Sequence, residues 1–137
     1  MQLGFSLDFS RCTGCLACIV ACQDQNDLSG GIAFRHVFKL EKGKYPSAKF
    51  SFISLSCLHC GEAPCVTVCP TMAIKKRDKD GIVIVDRNLC IGCHSCALAC
   101  PFGAPQYMND RKMSKCDFCV GRIEAGLEPA CVRICPT

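Results

Sequence analysis

Apolar and polar positions along this chain organise only short pieces of structure. Phe5-Ser6-Leu7-Asp8-Phe9 alternates with the period of two of a half-buried strand, and predicts a strand that delivers the chain into Cys12. Residues 16–25 suit a short helix, which Asp27-Leu28-Ser29-Gly30-Gly31 breaks with turn-forming residues. Two strands are expected at 34–40 and 50–55, joined as a hairpin across the charged, Gly- and Pro-bearing segment 41–46. A second hairpin is expected from Met72 to Lys76 and Ile82 to Val85, turning through Arg77-Asp78-Lys79-Asp80-Gly81. No apolar run reaches the roughly 18 to 20 residues of a membrane-spanning helix, so no direct membrane span is expected. The start, Met1-Gln2-Leu3-Gly4-Phe5, has neither the basic nor the apolar region of a secretory signal.

Composition shows what must fill the interior. Of 137 residues 16 are cysteine, 2 are tyrosine and none is tryptophan, and a cysteine share above about 8 per cent marks a cysteine-defined fold. The length allows one domain or two very small ones, and two small ones would bury too little apolar surface to stand alone. Bound inorganic matter is the expected substitute for large side chains. The net charge of +4 counts every thiol as neutral, which metal binding does not leave true. The mild basicity is therefore no sign of a nucleic-acid partner.

The cysteines fall into four quartets with none left over. Cys12, Cys15, Cys18 and Cys22 are spaced C-x2-C-x2-C-x3-C, and Cys90, Cys93, Cys96 and Cys100 repeat that spacing. Cys57, Cys60, Cys65 and Cys69 widen the middle gap to four residues; Cys116, Cys119, Cys131 and Cys135 widen it to eleven. Proline follows the last cysteine of every quartet but the first, where Gln23 stands. A C-x2-C turn brings thiolates and backbone N–H groups to one face of a cuboidal cluster, and Gly14 and Gly92 suit that turn because they lack a Cβ. A disulfide framework fits the even count but normally accompanies a secretory signal and irregular spacing. Structural zinc uses C-x2-C pairs, yet rarely with two more cysteines so close behind. Four [4Fe-4S] clusters use all sixteen cysteines.

In two-cluster ferredoxins the fourth cysteine of such a run ligates the other cluster, so quartets come in pairs. Quartets two and three are separated by only 20 residues that form one hairpin, whereas 34 separate quartets one and two. The expected pairing is nested, with pairing of neighbours in order as the alternative. Nested pairing gives the ligand sets Cys12, Cys15, Cys18 with Cys135; Cys116, Cys119, Cys131 with Cys22; Cys57, Cys60, Cys65 with Cys100; and Cys90, Cys93, Cys96 with Cys69. The expected fold is α+β: two interleaved ferredoxin-like modules, each holding two clusters, with short helices and β-hairpins. Residues 1–56 plus 101–137 form the outer module and 57–100 the inner.

The motifs Arg11-Cys12-Thr13-Gly14-Cys15, Cys57-Leu58-His59-Cys60-Gly61-Glu62-Ala63-Pro64-Cys65 and the long gap from Cys119 to Cys131 resemble the four-cluster iron-sulfur subunits of molybdenum or tungsten bis-pterin oxidoreductases, of the dimethyl-sulfoxide, polysulfide and thiosulfate reductase type. The resemblance covers essentially the whole chain. It implies a non-catalytic wire for single electrons between a pterin-bearing catalytic subunit and a membrane anchor that reacts with quinone, or a soluble donor. A hydrogenase, formate dehydrogenase or aldehyde oxidoreductase partner is the second reading, and a zinc-stabilised structural or regulatory module the remote one. Without a signal of its own, the chain is expected in the cytoplasm, or on the periplasmic face if a partner exports it. Four oxidised clusters would bring the apoprotein's +4 to about 4 negative.

His59 and His94 lie between cluster cysteines, but no cysteine is lacking, so they are expected beside the clusters or at the surface. His36 carries no signal beyond packing or exposure. Lys75, Lys76, Arg77 and Lys79 are expected as a solvated hairpin tip, and Phe102, Tyr107 and Phe118 as packing that excludes water. Laid over Cys69-Pro70, which continues into Thr71-Met72-Ala73-Ile74, the end Cys135-Pro136-Thr137 lacks a strand, and truncation there is expected, with a natural end strapped down by a partner as the alternative; an intact mass equal to 137 residues would argue against truncation.

Overall fold

Both expected hairpins form in the computed structural model, which describes residues 1–137. Strands β1 (Arg35–Lys42) and β2 (Lys49–Ser56) pair antiparallel from Arg35↔Ser56 to Lys42↔Lys49. Residues directly opposite share a face, so Arg35, Val37, Phe52, Ser54 and Ser56 lie together. That face meets the first cysteine loop: a Cβ on Gly14 would fall 2.4 Å from the Phe52 ring. The second hairpin, β3 (Ile74–Lys76) and β4 (Val83–Val85), is shorter than the sequence suggests. Met72 adopts a left-handed φ of 52°, which a strand cannot accommodate.

Residues 5–9 do not form the expected strand. The alternation is real, since Leu3, Phe5 and Leu7 are half-buried between exposed neighbours, but no second strand lies alongside to make a ladder. Instead Leu3 donates its N–H to the Asp80 carbonyl at 2.9 Å, and Phe5 stacks on Phe118 with centroids 4.3 Å apart. A third hairpin was not expected: β5 (Gln106–Tyr107) pairs with β6 (Met113–Ser114). It packs Met113 and Tyr107 onto the β3–β4 hairpin and Cys96.

The helices are α1 (Ala17–Gln25), α2 (Pro64–Thr67), α3 (Ser95–Ala99), α4 (Val120–Glu124) and α5 (Ala130–Arg133). Helix α1 lies where the sequence places it, and α2 begins on proline, whose missing N–H costs nothing in a first turn. Helix α1 packs on α5 and α2 on α3. Only 21 of the 137 residues are buried, and eight of them form two small apolar cores. One comprises Cys22, Phe34, Cys57 and Cys116; the other Ile74, Val83, Cys96 and Met113. Half of these core positions are cysteines, so the interior is organised around sulfur. No helix is long and apolar enough to cross a membrane.

Candidate functional site

Each quartet opens on the same backbone device. The residue before the second cysteine is left-handed in all four: Gly14 at φ 70°, His59 at 47°, Gly92 at 68° and Phe118 at 64°. At Gly92 a Cβ would fall 2.5 Å from the Arg111 carbonyl oxygen, so the loop and the β5–β6 turn approach only because it is absent. His59 and Phe118 adopt the same conformation against a cost of about 1–2 kcal/mol for a residue with a Cβ. Their burial offsets it: they are 1% and 5% exposed and meet edge to face at 5.4 Å. His59 Nδ1 accepts the Val83 N–H at 3.0 Å, and its carbonyl accepts from Gln2 Nε2 at 3.0 Å.

These turns and the short helices bring the cysteines around separate hollows. Cys69, Cys90, Cys93 and Cys96 line one, with His94 and Tyr107 in its wall. Cys57, Cys60, Cys65 and Cys100 line a second, with Lys115. Cys12, Cys15, Cys18 and Cys135 line a third, shared with Cys131 and Arg35. The remaining cysteines lie within reach of one another's charge. Burial, then the nearby Cys131 and Cys119, pushes the Cys22 thiol up to about 11. Burial also pushes Cys116 up to about 12, with Cys22 and Cys57 adding to it. Cys119 is raised too, by burial first and then by Asp117 and Cys131, against an opposing backbone hydrogen bond.

All sixteen thiols are free, so the disulfide alternative finds no pair here. No three His, Cys, Asp or Glu side chains converge on a point that would hold a single metal ion; thirteen of the sixteen thiols stand around the three hollows. Four soft thiolate donors around a hollow fit a cuboidal iron-sulfur cluster held at its corners. Iron would also draw off the proton that burial holds on Cys22 and Cys116.

Donors surround the sulfurs. The N–H groups of Met113 and Phe118 reach Cys90 Sγ at 3.3 Å and Cys116 Sγ at 3.4 Å. The Tyr107 hydroxyl lies 3.3 Å from Cys96 Sγ, its ring stacked on His94 at 3.8 Å. Burial, followed by that contact, raises the Tyr107 phenol above its ordinary value and keeps it protonated. Phe118 is buried as expected, whereas Phe102 is half exposed. The hairpin tip is more than a solvated charge run: Lys76 Nζ donates to the carbonyls of Cys60 and Gly61 at 2.9 and 2.6 Å, while Arg77 and Lys79 hold Glu124. Sequence reasoning missed His59 and Phe118 as counterparts of the two glycines, although laying the quartets over one another aligns them.

These hollows define an iron-sulfur protein: residues 11–73 and residues 48–137 each match the family described as 4Fe-4S dicluster domain, and the chain belongs to it. It carries [4Fe-4S] clusters, and its sixteen cysteines provide for four. Among curated relatives, the probable anaerobic dimethyl sulfoxide reductase chain YnfG of Escherichia coli K12 is 43% identical over 144 residues, covering 98% of this chain and 70% of the relative. The thiosulfate reductase electron transfer subunit PhsB of Salmonella typhi is 46% identical, covering 95% and 69%. The arsenate respiratory reductase iron-sulfur subunit ArrB of Shewanella sp. strain ANA-3 is 31% identical, covering 100% and 79%. The chain is thus an electron-transfer subunit and not a catalytic one.

Proposed function

We propose that this chain relays single electrons between a molybdenum or tungsten pterin catalytic subunit and either a membrane quinone-reactive subunit or a soluble redox partner. When bound, each [4Fe-4S] cluster takes up or releases one electron with little change of geometry. The observation that carries the reading is the arrangement of the thiols: four sets, of which only the outer two include exposed cysteines. Cys15, Cys135 and Cys93 are exposed, whereas Cys22, Cys57 and Cys116 are buried. Beside the exposed thiols, Leu16 and Ile91 present apolar surface at 49% and 68% exposure, which suits docking faces at two ends.

The ligand sets we assign are Cys12, Cys15, Cys18 with Cys135; Cys22 with Cys116, Cys119 and Cys131; Cys57, Cys60, Cys65 with Cys100; and Cys69 with Cys90, Cys93 and Cys96. Support comes from the three hollows and from the packing of α1 on α5 and α2 on α3. These helix contacts couple quartet one to four and two to three. The chain then divides into an outer module, 1–56 plus 101–137, and an inner module, 57–100, with the β5–β6 hairpin laid over the inner one. Cys57 and Cys116 share a core, so electrons pass between modules there. The path runs from the Cys12 set through the Cys22 and Cys57 sets to the Cys69 set.

The relatives named for dimethyl sulfoxide, thiosulfate and arsenate reductases favour an oxyanion or sulfoxide reductase over a hydrogenase or formate dehydrogenase as partner. The partner also determines the side of the membrane on which the chain works. Iron and acid-labile sulfide counted on anaerobically purified protein test the cofactor content: about sixteen of each is expected, and zinc in place of iron would overturn the relay. Serine variants test the pairing. Cys135→Ser and Cys15→Ser should disturb the same cluster signal; if Cys135→Ser instead shares a signal with Cys93→Ser, neighbours pair in order.

A further inference from the structure

Two basic side chains are buried, Arg35 at 7% and Lys115 at 4% exposure. Neither takes part in an ion pair with a carboxylate; those pairs involve Lys39, Arg77, Lys79 and Arg87. A buried cation without an anion is strongly disfavoured, so each of these must face negative charge of another kind. Both face cysteine hollows.

Arg35 lines the hollow of Cys12, Cys15, Cys18 and Cys135. Its Nη1 and Nη2 donate to Ser54 Oγ at 2.9 Å and Ser56 Oγ at 3.0 Å, and its guanidinium lies 4.6 Å from the Phe5 ring centroid. Its buried Nε has no protein partner. The same hollow is lined by Cys131, a member of the Cys22 set. Lys115 lines the hollow of Cys57, Cys60, Cys65 and Cys100 and directly precedes Cys116. Its Nζ donates to the carbonyls of Val83 and Cys116, which sets the ammonium beside the backbone of a member of the Cys22 set. Each cation therefore stands where two ligand sets adjoin.

We propose that Arg35 and Lys115 are the relay's built-in counter-charges, Arg35 between the Cys12 and Cys22 sets and Lys115 between the Cys22 and Cys57 sets, each raising the reduction potential of the clusters on its two sides. The inference rests on the ligand sets assigned above. On accepting one electron a four-thiolate cluster goes from a net charge of about −2 to about −3. A fixed buried cation interacts more favourably with the second state than with the first, and does so strongly where water does not screen it. The Cys69 set has no buried cation in its wall; its neighbours are His94 and the Tyr107 hydroxyl. It serves as an internal reference.

The test is a redox titration of the holoprotein with dithionite as electron source, followed by electron paramagnetic resonance. Lys115→Met and Arg35→Met remove the charges; Lys115→Arg and Arg35→Lys retain them. Iron and sulfide are counted first, since a wild-type count short of four clusters would overturn the ligand sets and not the role of the cations. In variants holding all their clusters, each Met substitution should lower the reduction equilibrium constant of two clusters by about tenfold or more, about 59 mV for a one-electron couple. The Cys69-set cluster should not move, and the charge-retaining variants should stay near the wild type. Unchanged potentials in the Met variants, or equal shifts in both kinds of variant, would overturn the proposal. Where a Met variant loses clusters, the charge-retaining variant decides: clusters kept there support compensation by charge, and clusters lost in both assign the residue to packing.

Discussion

Tyr107 and Gly92 act on the Cys69 set by different means, one through a hydroxyl and the other through the lack of a side chain. The Tyr107 hydroxyl lies 3.3 Å from Cys96 Sγ, and a donor to a ligand sulfur favours the more negative, reduced cluster. Tyr107→Phe keeps the ring on His94 and removes only the donor, so the potential of this cluster should fall while iron content and melting temperature hold. A potentiometric titration reads this directly, and an unchanged potential would count against the hydrogen bond. Gly92→Ala meets the Arg111 carbonyl at 2.5 Å in a left-handed conformation. It should cost about 1–3 kcal/mol and leave the protein about one cluster short, measured as iron per chain. Gly14 and Gly92 were legible in the sequence because glycine announces a left-handed turn. His59 and Phe118 hide the same conformation behind bulky side chains. What compensates them is mutual contact between residues 59 positions apart in the chain, which no local pattern contains.

The elements that sequence reading found are those with enough length to show a period. Strands β1 and β2, eight residues each, and α1, nine residues, appear close to their expected bounds. Helices α4 and α5, of five and four residues, span little more than one turn and show no repeat. Strands β5 and β6 have two residues each. The segment 5–9 misled for the converse reason: alternate burial also arises in an extended segment that packs its side chains without a partner strand. One link between elements is electrostatic. Arg77 and Lys79, at the tip of the β3–β4 hairpin, contact Glu124 Oε1 at 2.7 and 3.0 Å and join that tip to α4. Their hydrogen bonds hold the Glu124 carboxyl below its ordinary value of 4.5. A lowered folded-state value means that the link stabilises above about pH 4.5 and is lost as pH falls through the folded-state value. Glu124→Gln should therefore speed amide exchange in α4 at neutral pH, with a difference from wild type that narrows in acid and at high salt. Equal exchange in the two proteins at low salt would show that the link holds nothing.

At the scale of the whole molecule, little besides the thiol-lined hollows can hold these elements together. Isolated two-stranded hairpins are marginal in water, and helices of four to nine residues fall short of the about 12 to 15 at which even good sequences become helical alone. The two apolar cores contain four residues each, and half of those are cysteines. A bound cluster ties four chain positions to one centre, and in the nested arrangement it joins segments as distant as Cys12 and Cys135. Such binding free energy is folding free energy. Without iron, the sixteen thiols, among them Cys116, which burial pushes up to about 12, would make no bond between these segments. Removing the iron with a chelator under reducing conditions should therefore abolish cooperative thermal unfolding and collapse amide chemical-shift dispersion across all three hairpins. Restoring iron and sulfide should return both. An apoprotein that keeps its dispersion and a sharp melting transition would show that side-chain packing suffices, and would leave the clusters with electron transfer alone.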